Sequence, residues 1–227
     1  MRLNWRLEAL QLAAIVAMYA LAAWAWPQTP ERIPVHWNLQ GEVDGYGGRF
    51  LGLMLVPLLA SGFYVLMLVL PRIDPGRRNY QNFAKAYGLI RVTFIAYLTA
   101  IQGVLVAAAL GHKVDVGLVI SLMVAALLAA FGNLMGKIRP NWFVGVRTPW
   151  TLSSKLSWNK THQLAGWLFI LMAAAVALAG IIRTGWMLAV MLTVIGGSLL
   201  WLVIYSYLVY RRDPERLSPA GVTPAEE

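Results

Sequence analysis

The chain has 227 residues, 59% hydrophobic and 13% charged, whereas an average soluble domain is about one quarter charged. That is too little charge to cover a water-soluble fold, and the apolar residues gather in runs of about twenty, the length that crosses a hydrocarbon core ~30 Å thick, so the chain reads as an integral membrane protein. The net charge of +9 sits in short loops between those runs, which points to anionic lipid headgroups and away from direct nucleic-acid binding; the lack of cysteine excludes disulfides, thiolate nucleophiles and cysteine-ligated metals.

Six runs qualify as membrane helices, at about 9–26, 50–70, 88–110, 116–135, 164–182 and 186–210. Lipid offers the backbone no hydrogen-bond partner, so such runs must be helical, and the expected fold is an all-α six-helix membrane bundle. The first run follows Arg2 and Arg6 and is too long for a signal peptide, so it reads as a retained helix. Pro57 falls inside the second run and frees the carbonyl near Leu53, which a neighbouring helix must satisfy. Small residues at Ala107, Ala108, Gly111, Gly132 and Gly136 suit close helix contact. Trp24, Trp26, Trp186, Tyr207 and Tyr210 sit near run ends, where amphipathic rings suit the headgroup layer.

Charge sets the expected orientation, because cytoplasmic loops carry the excess of Lys and Arg. Of the 19 such residues, Arg32, Arg49, Lys113 and Arg183 fall on one side; the other 15, with Arg91 counted among them at the start of the third run, fall on the side of the termini. Both termini are therefore expected in the cytoplasm, in a bacterial inner membrane. No ionisable residue is placed at mid-membrane depth, which counts against a cation-coupled transporter. Gln102 and Asn133 are the most polar side chains within helices, and interhelical hydrogen bonds are their expected role.

Two loops exceed what a connector needs. The extracytoplasmic loop, 27–49, carries Pro34, His36, Trp37, Asn38, Gly41 and Asp44, with further glycines at 45, 47 and 48. Pro34 favours extended backbone before it and the glycines permit turns, so a short extended segment and turn is expected on the outer face. His36 with Asp44 lacks the third strong ligand a metal site needs, and local hydrogen bonding is the expected role. The cytoplasmic loop between the fourth and fifth helices runs from Asn133 through Lys137, Pro140, Asn141, Gly145, Arg147, Thr148, Pro149 and Trp150 to Trp158 and His162. Pro140 and Pro149 are expected to break helix, and the aromatics, Trp142 and Phe143 included, to rest on the bundle. Ser153 or Ser154 is expected to cap a short, half-buried interfacial helix carrying Trp158 and His162 on one face. Arg147, Asn141 and His162 suit either an anionic group or the tying down of loop carbonyls. The tail, 213–227, has nothing to bury and is expected to be disordered.

These loops carry a resemblance. The segment 133–152, with Lys137, Pro140, Asn141, Gly145, Arg147, Thr148, Pro149, Trp150 and Thr151, continuing through Trp158, Thr161, His162 and Gly166, resembles the signature of the SdpI family of bacterial immunity proteins. Pro34, His36, Asn38, Gly41 and Asp44 resemble the small membrane-associated domain at the amino terminus of many members. On that basis the chain divides into 1–70 (two helices and the outer loop), 71–110 (basic loop and third helix), 111–210 (the SdpI-like region) and a tail, 211–227. The resemblance implies protection against a secreted peptide or protein toxin, and in the founding system also the holding of a transcriptional repressor at the membrane.

Immunity or receptor function therefore leads. The alternative is a transporter or lipid-handling protein, prompted by the faint likeness of Ile33-Pro-Val-His-Trp-Asn to Ile138-Arg-Pro-Asn-Trp-Phe, the trace an inverted repeat would leave. A hydrolase using His36 with Asp44, or His162, ranks last, since no nucleophile or metal triad accompanies them. No catalytic residue, cofactor or metal is assigned.

Overall fold

The computed structural model describes residues 4–38, 41–182 and 187–217. Within them the chain forms α1 (Trp5–Ala25), a β-hairpin of β1 (Arg32–Trp37) and β2 (Val43–Gly48), α2 (Arg49–Ile73), α3 (Ala84–Ala109), α4 (Val116–Met135), the short α5 (Pro149–Ser153), α6 (Lys155–Ile182) and α7 (Met187–Arg211). Single-turn 3₁₀ segments cover 26–28 and 214–217, and a longer one, 77–83, leads into α3. Six helices are long and apolar enough to cross a membrane, and the chain is a multi-pass membrane protein. Trp186 and most of the tail lie outside the described residues.

The helices α1, α4 and α6 start where side chains satisfy the first free N–H groups. Asn4 accepts from the Arg6 amide, Asp115 from the Leu118 amide, and Ser154 from the Ser157 amide at the head of α6. The bundle has two parts. The helices α1, α2 and α3 pack on one another, and α6 lies between α4 and α7, with α3 against α4 joining the sets. Glycines set the closest contact. A Cβ on Gly132 would lie 2.8 Å from the Gly166 carbonyl, and one on Gly166 would lie 2.9 Å from that of Gly132, so the backbones of α4 and α6 touch there. Gly180 of α6 leaves room for the Ser121 side chain of α4, whose Cβ would lie 2.4 Å from a Cβ there. Gly111, expected to pack, instead ends α3 in the left-handed region, φ +84°, with nothing near its missing Cβ.

Pro57 and Pro71 are both carried inside α2. Pro57 has no N–H for the Leu53 carbonyl, and Gln102 of α3 supplies the missing donor at 2.9 Å. Asn133 behaves otherwise. It is exposed on α4 and forms no interhelical bond among the described residues.

Buried charge is the main correction to the expected bundle. Arg91, counted with the basic residues of the loop side, lies within α3, 1% exposed, and pairs through both terminal nitrogens with Glu8 of α1 at 2.7 and 2.8 Å. Tyr64 of α2 donates to the same carboxylate at 2.9 Å, so one ionic cluster ties three helices together. Glu8 lies about one turn from the start of α1 and Arg91 about two turns from the start of α3, short of the middle of either helix. An arginine at this depth persists because its charge is matched by a bidentate carboxylate.

Candidate functional site

Two folded elements cover opposite ends of the bundle. At one end the loop 27–49 is an antiparallel hairpin, with Arg32 opposite Gly48 and Trp37 opposite Val43. In place of the one expected extended segment and turn, the loop folds as two paired strands. Gly41, at φ +81°, makes the turn, where the Asn38 side chain accepts from the Glu42 amide. Other glycines serve close approach instead. A Cβ on Gly45 would meet that of His36 at 2.8 Å, and one on Gly52 would lie 2.4 Å from Ile33. Ile33, 1% exposed, is thereby sunk among Ala22, Ala25, Leu53, Val106 and Ala109, which fastens the hairpin to α1, α2 and α3. His36 and Asp44 pair at 2.6 Å on the exposed face; Pro34, Trp37 and Asn38 are half-buried, and Tyr46 is exposed.

The opposite end carries most of the Lys and Arg, and there residues 136–154 form a compact cap. Asn141 organises it, being 2% exposed. Its amide nitrogen donates to the carbonyls of Arg139 and Val144, and its oxygen accepts from the amides of Phe143 and Val144, so the loop winds around one side chain. Arg147 donates to the Trp142 carbonyl at 3.1 Å and is otherwise exposed. Gly145, at φ +112°, passes so close to His162 that a Cβ would lie 2.3 Å from its Nε2. Pro149 does not break a helix but opens α5, which Thr148 and Thr151 cap reciprocally.

His162 and Trp158 depart from the expected interfacial helix. Ser154 caps α6, a single helix continuing into the membrane span, and both rings are fully buried rather than half-buried. They stack with centroids 4.1 Å apart. The Trp158 indole N–H donates to the Ile138 carbonyl at 3.0 Å. Imidazole Nδ1 lies 2.8 Å from the Trp158 carbonyl, which only accepts, while Nε2 lies 3.0 Å from the Val146 N–H, which only donates. The ring is therefore the neutral Nδ1–H tautomer with both nitrogens engaged, and no free lone pair is left for acid/base work. Of the loop aromatics, Trp150 packs on Tyr207 and Phe143 on the core, while Trp142 stays exposed.

The cap is also held by residues that carry no motif in the sequence. Asp74, just past the end of α2 and 1% exposed, accepts from the Trp142 amide at 3.0 Å, the Tyr80 hydroxyl at 2.8 Å and the Gly76 amide at 2.6 Å. Asn79 donates to the Pro140 carbonyl at 2.7 Å. From α7, Ser206 hydrogen-bonds Thr148 at 3.0 Å and its carbonyl accepts from Ser157. Asp213, expected in a disordered tail, is buried and accepts from Ser154. The tripeptide Asp74-Pro75-Gly76 has turn composition, which is the one sequence signal for this role; nothing local marks Ser206 or Asp213. Among the described residues, no three His, Asp or Glu side chains gather in a metal-holding cluster. Ile33–Asn38 is mostly strand whereas Ile138–Phe143 is irregular, so their six-residue likeness is not a structural one.

Residues 137–206, spanning the cap, α5, α6 and most of α7, match the SdpI/YfhL protein family. Residues 13–60, spanning the hairpin and the helix segments on either side, match a domain of unknown function, DUF1648. The chain is 21% identical over 183 residues to the immunity protein SdpI of Bacillus subtilis strain 168, an alignment covering 81% of this chain and 86% of that protein. No solved structure matches it.

Proposed function

We propose that this chain, which is similar to the SdpI/YfhL family over residues 137–206 and to an immunity protein along most of its length, is a membrane immunity protein that protects a bacterium against a secreted antimicrobial toxin and performs no catalysis. The observation that carries this reading is the similarity to an immunity protein along 81% of the chain, together with the family match over the cap, α6 and most of α7. Its basic end faces the cytoplasm with both termini, in line with the positive-inside rule, and the hairpin faces outward in the bacterial inner membrane.

In this arrangement the hairpin supplies the toxin contact. Trp37 and Tyr46 offer aromatic surface, and His36 and Asp44 a polar pair beside them. The cap is the element that responds. Because Asn141 and His162 spend their polar atoms inside it, the exposed Trp142 and Arg147 are the groups left to meet a cytoplasmic partner such as a repressor. Arg147 suits a carboxylate or phosphate on that partner. Survival of a sensitive bacterium expressing the chain, challenged with the secreted toxin of the family, tests the reading. Protection by the parent that is lost in Trp37→Ala or Arg147→Ala at equal membrane abundance is the expected result. An unprotected host, or indifference to both substitutions, overturns the assignment or the residue roles respectively.

A further inference from the structure

A groove of about 840 Å³ runs along the seam of α4 and α6 at the basic end, with Tyr205 of α7 on its wall. Gly132 and Gly166, where the backbones of α4 and α6 meet, line it. Its upper rim carries Lys137 and Lys160, neither of which has an acidic partner among the described residues, and no Asp or Glu lines it. Its lower wall is apolar, formed by Trp167, 73% exposed, and Ile170.

We propose that this groove binds one anionic glycerophospholipid, its phosphate between Lys137 and Lys160 and its acyl chains along Gly166, Trp167 and Ile170. Two features beyond charge select this occupant. Lys160 lies four residues before Leu164, where the apolar run of α6 begins, so it stands about 6 Å above the hydrocarbon at 1.5 Å per residue, where lipid phosphates lie. Ile170 is ten residues further along α6 than Lys160, about 15 Å at that rise and therefore about 9 Å below the hydrocarbon boundary, within the ~15 Å of one leaflet. The cationic rim and the apolar wall are therefore spaced like the headgroup and chains of one lipid. Basic pockets between membrane helices are a recurrent means of holding acidic headgroups, and the lysine stems can lie along the apolar wall while their amines stay at the interface.

Native mass spectrometry of the full chain in detergent, titrated with dioleoyl phosphatidylglycerol and separately with dioleoyl phosphatidylcholine, tests the proposal. One phosphatidylglycerol should bind at least tenfold more tightly than phosphatidylcholine. Lys137→Gln with Lys160→Gln should abolish that preference, while Arg77→Gln with Arg78→Gln, an exposed basic pair elsewhere on the same end, should keep it. The proposal is overturned if the lysine variant retains the preference, if both lipids bind alike, if soluble glycerol phosphate displaces the lipid, or if a second copy of the chain occupies the groove in place of lipid.

Discussion

Asp74→Asn is the most informative single perturbation of the cap. One carboxylate oxygen accepts from the Gly76 amide and the other from the Tyr80 hydroxyl and the Trp142 amide, all where the side chain is 1% exposed. Asparagine keeps the shape but only one acceptor oxygen. If that oxygen stays on Gly76, the new NH₂ faces the Trp142 N–H, and a buried donor loses its partner. The Tyr80 hydroxyl can turn to accept; the Trp142 amide cannot. A lost hydrogen bond to a charged group, with a buried donor left unsatisfied, costs about 3 kcal/mol. The cost falls on the junction between α2 and the cap, so it should favour opening of 136–148 over unfolding of the bundle. Trypsin reports that opening at Lys137–Ile138 and Arg147–Thr148, whereas Arg139 is followed by Pro140 and is a poor site. Where cleavage tracks the open population, 3 kcal/mol is roughly a hundredfold in rate. Cleavage of the variant within threefold of the parent, with the thermal midpoint of the bundle unchanged, would refute the role given to Asp74.

Gln102→Leu should cost about 1 kcal/mol of thermal stability in detergent, and Pro57→Ala should remove most of that loss by restoring an N–H to the Leu53 carbonyl; equal losses in both backgrounds of this double-mutant cycle would show the contact to be incidental. Glu8→Gln should cost about 3–5 kcal/mol by stranding the buried Arg91, and Glu8→Leu combined with Arg91→Leu should cost less than the single change, as read from thermal inactivation; a double variant weaker than the single one would mean that the ion pair itself is net stabilising. Because the chain has no cysteine, Glu42→Cys and Arg77→Cys give clean topology probes. A membrane-impermeant maleimide on intact cells should label the first and spare the second, and the reverse pattern would invert the proposed orientation.

The sequence by itself determined the membrane class, the number of crossing helices and the presence of two folded loops, because in lipid a long apolar run has one way to satisfy its backbone and because prolines, glycines and aromatics in a connector need a reason. It also carried the interhelical role of Gln102, since Pro57 announces an orphaned carbonyl one turn earlier. Tertiary structure alone decided where charge and polarity close up. Arg91 reads as a basic residue at a helix edge until Glu8 and Tyr64, distant in the chain, arrive from two other helices to match it. Asp213 reads as the start of a tail until Ser154 reaches it. His162 and Trp158 read as an interfacial pair until α6 proves continuous and the cap closes over them. Local sequence reports backbone preference and apolar period, whereas the partner of a buried polar atom is fixed by which helices pack together, and that is a property of the assembled bundle.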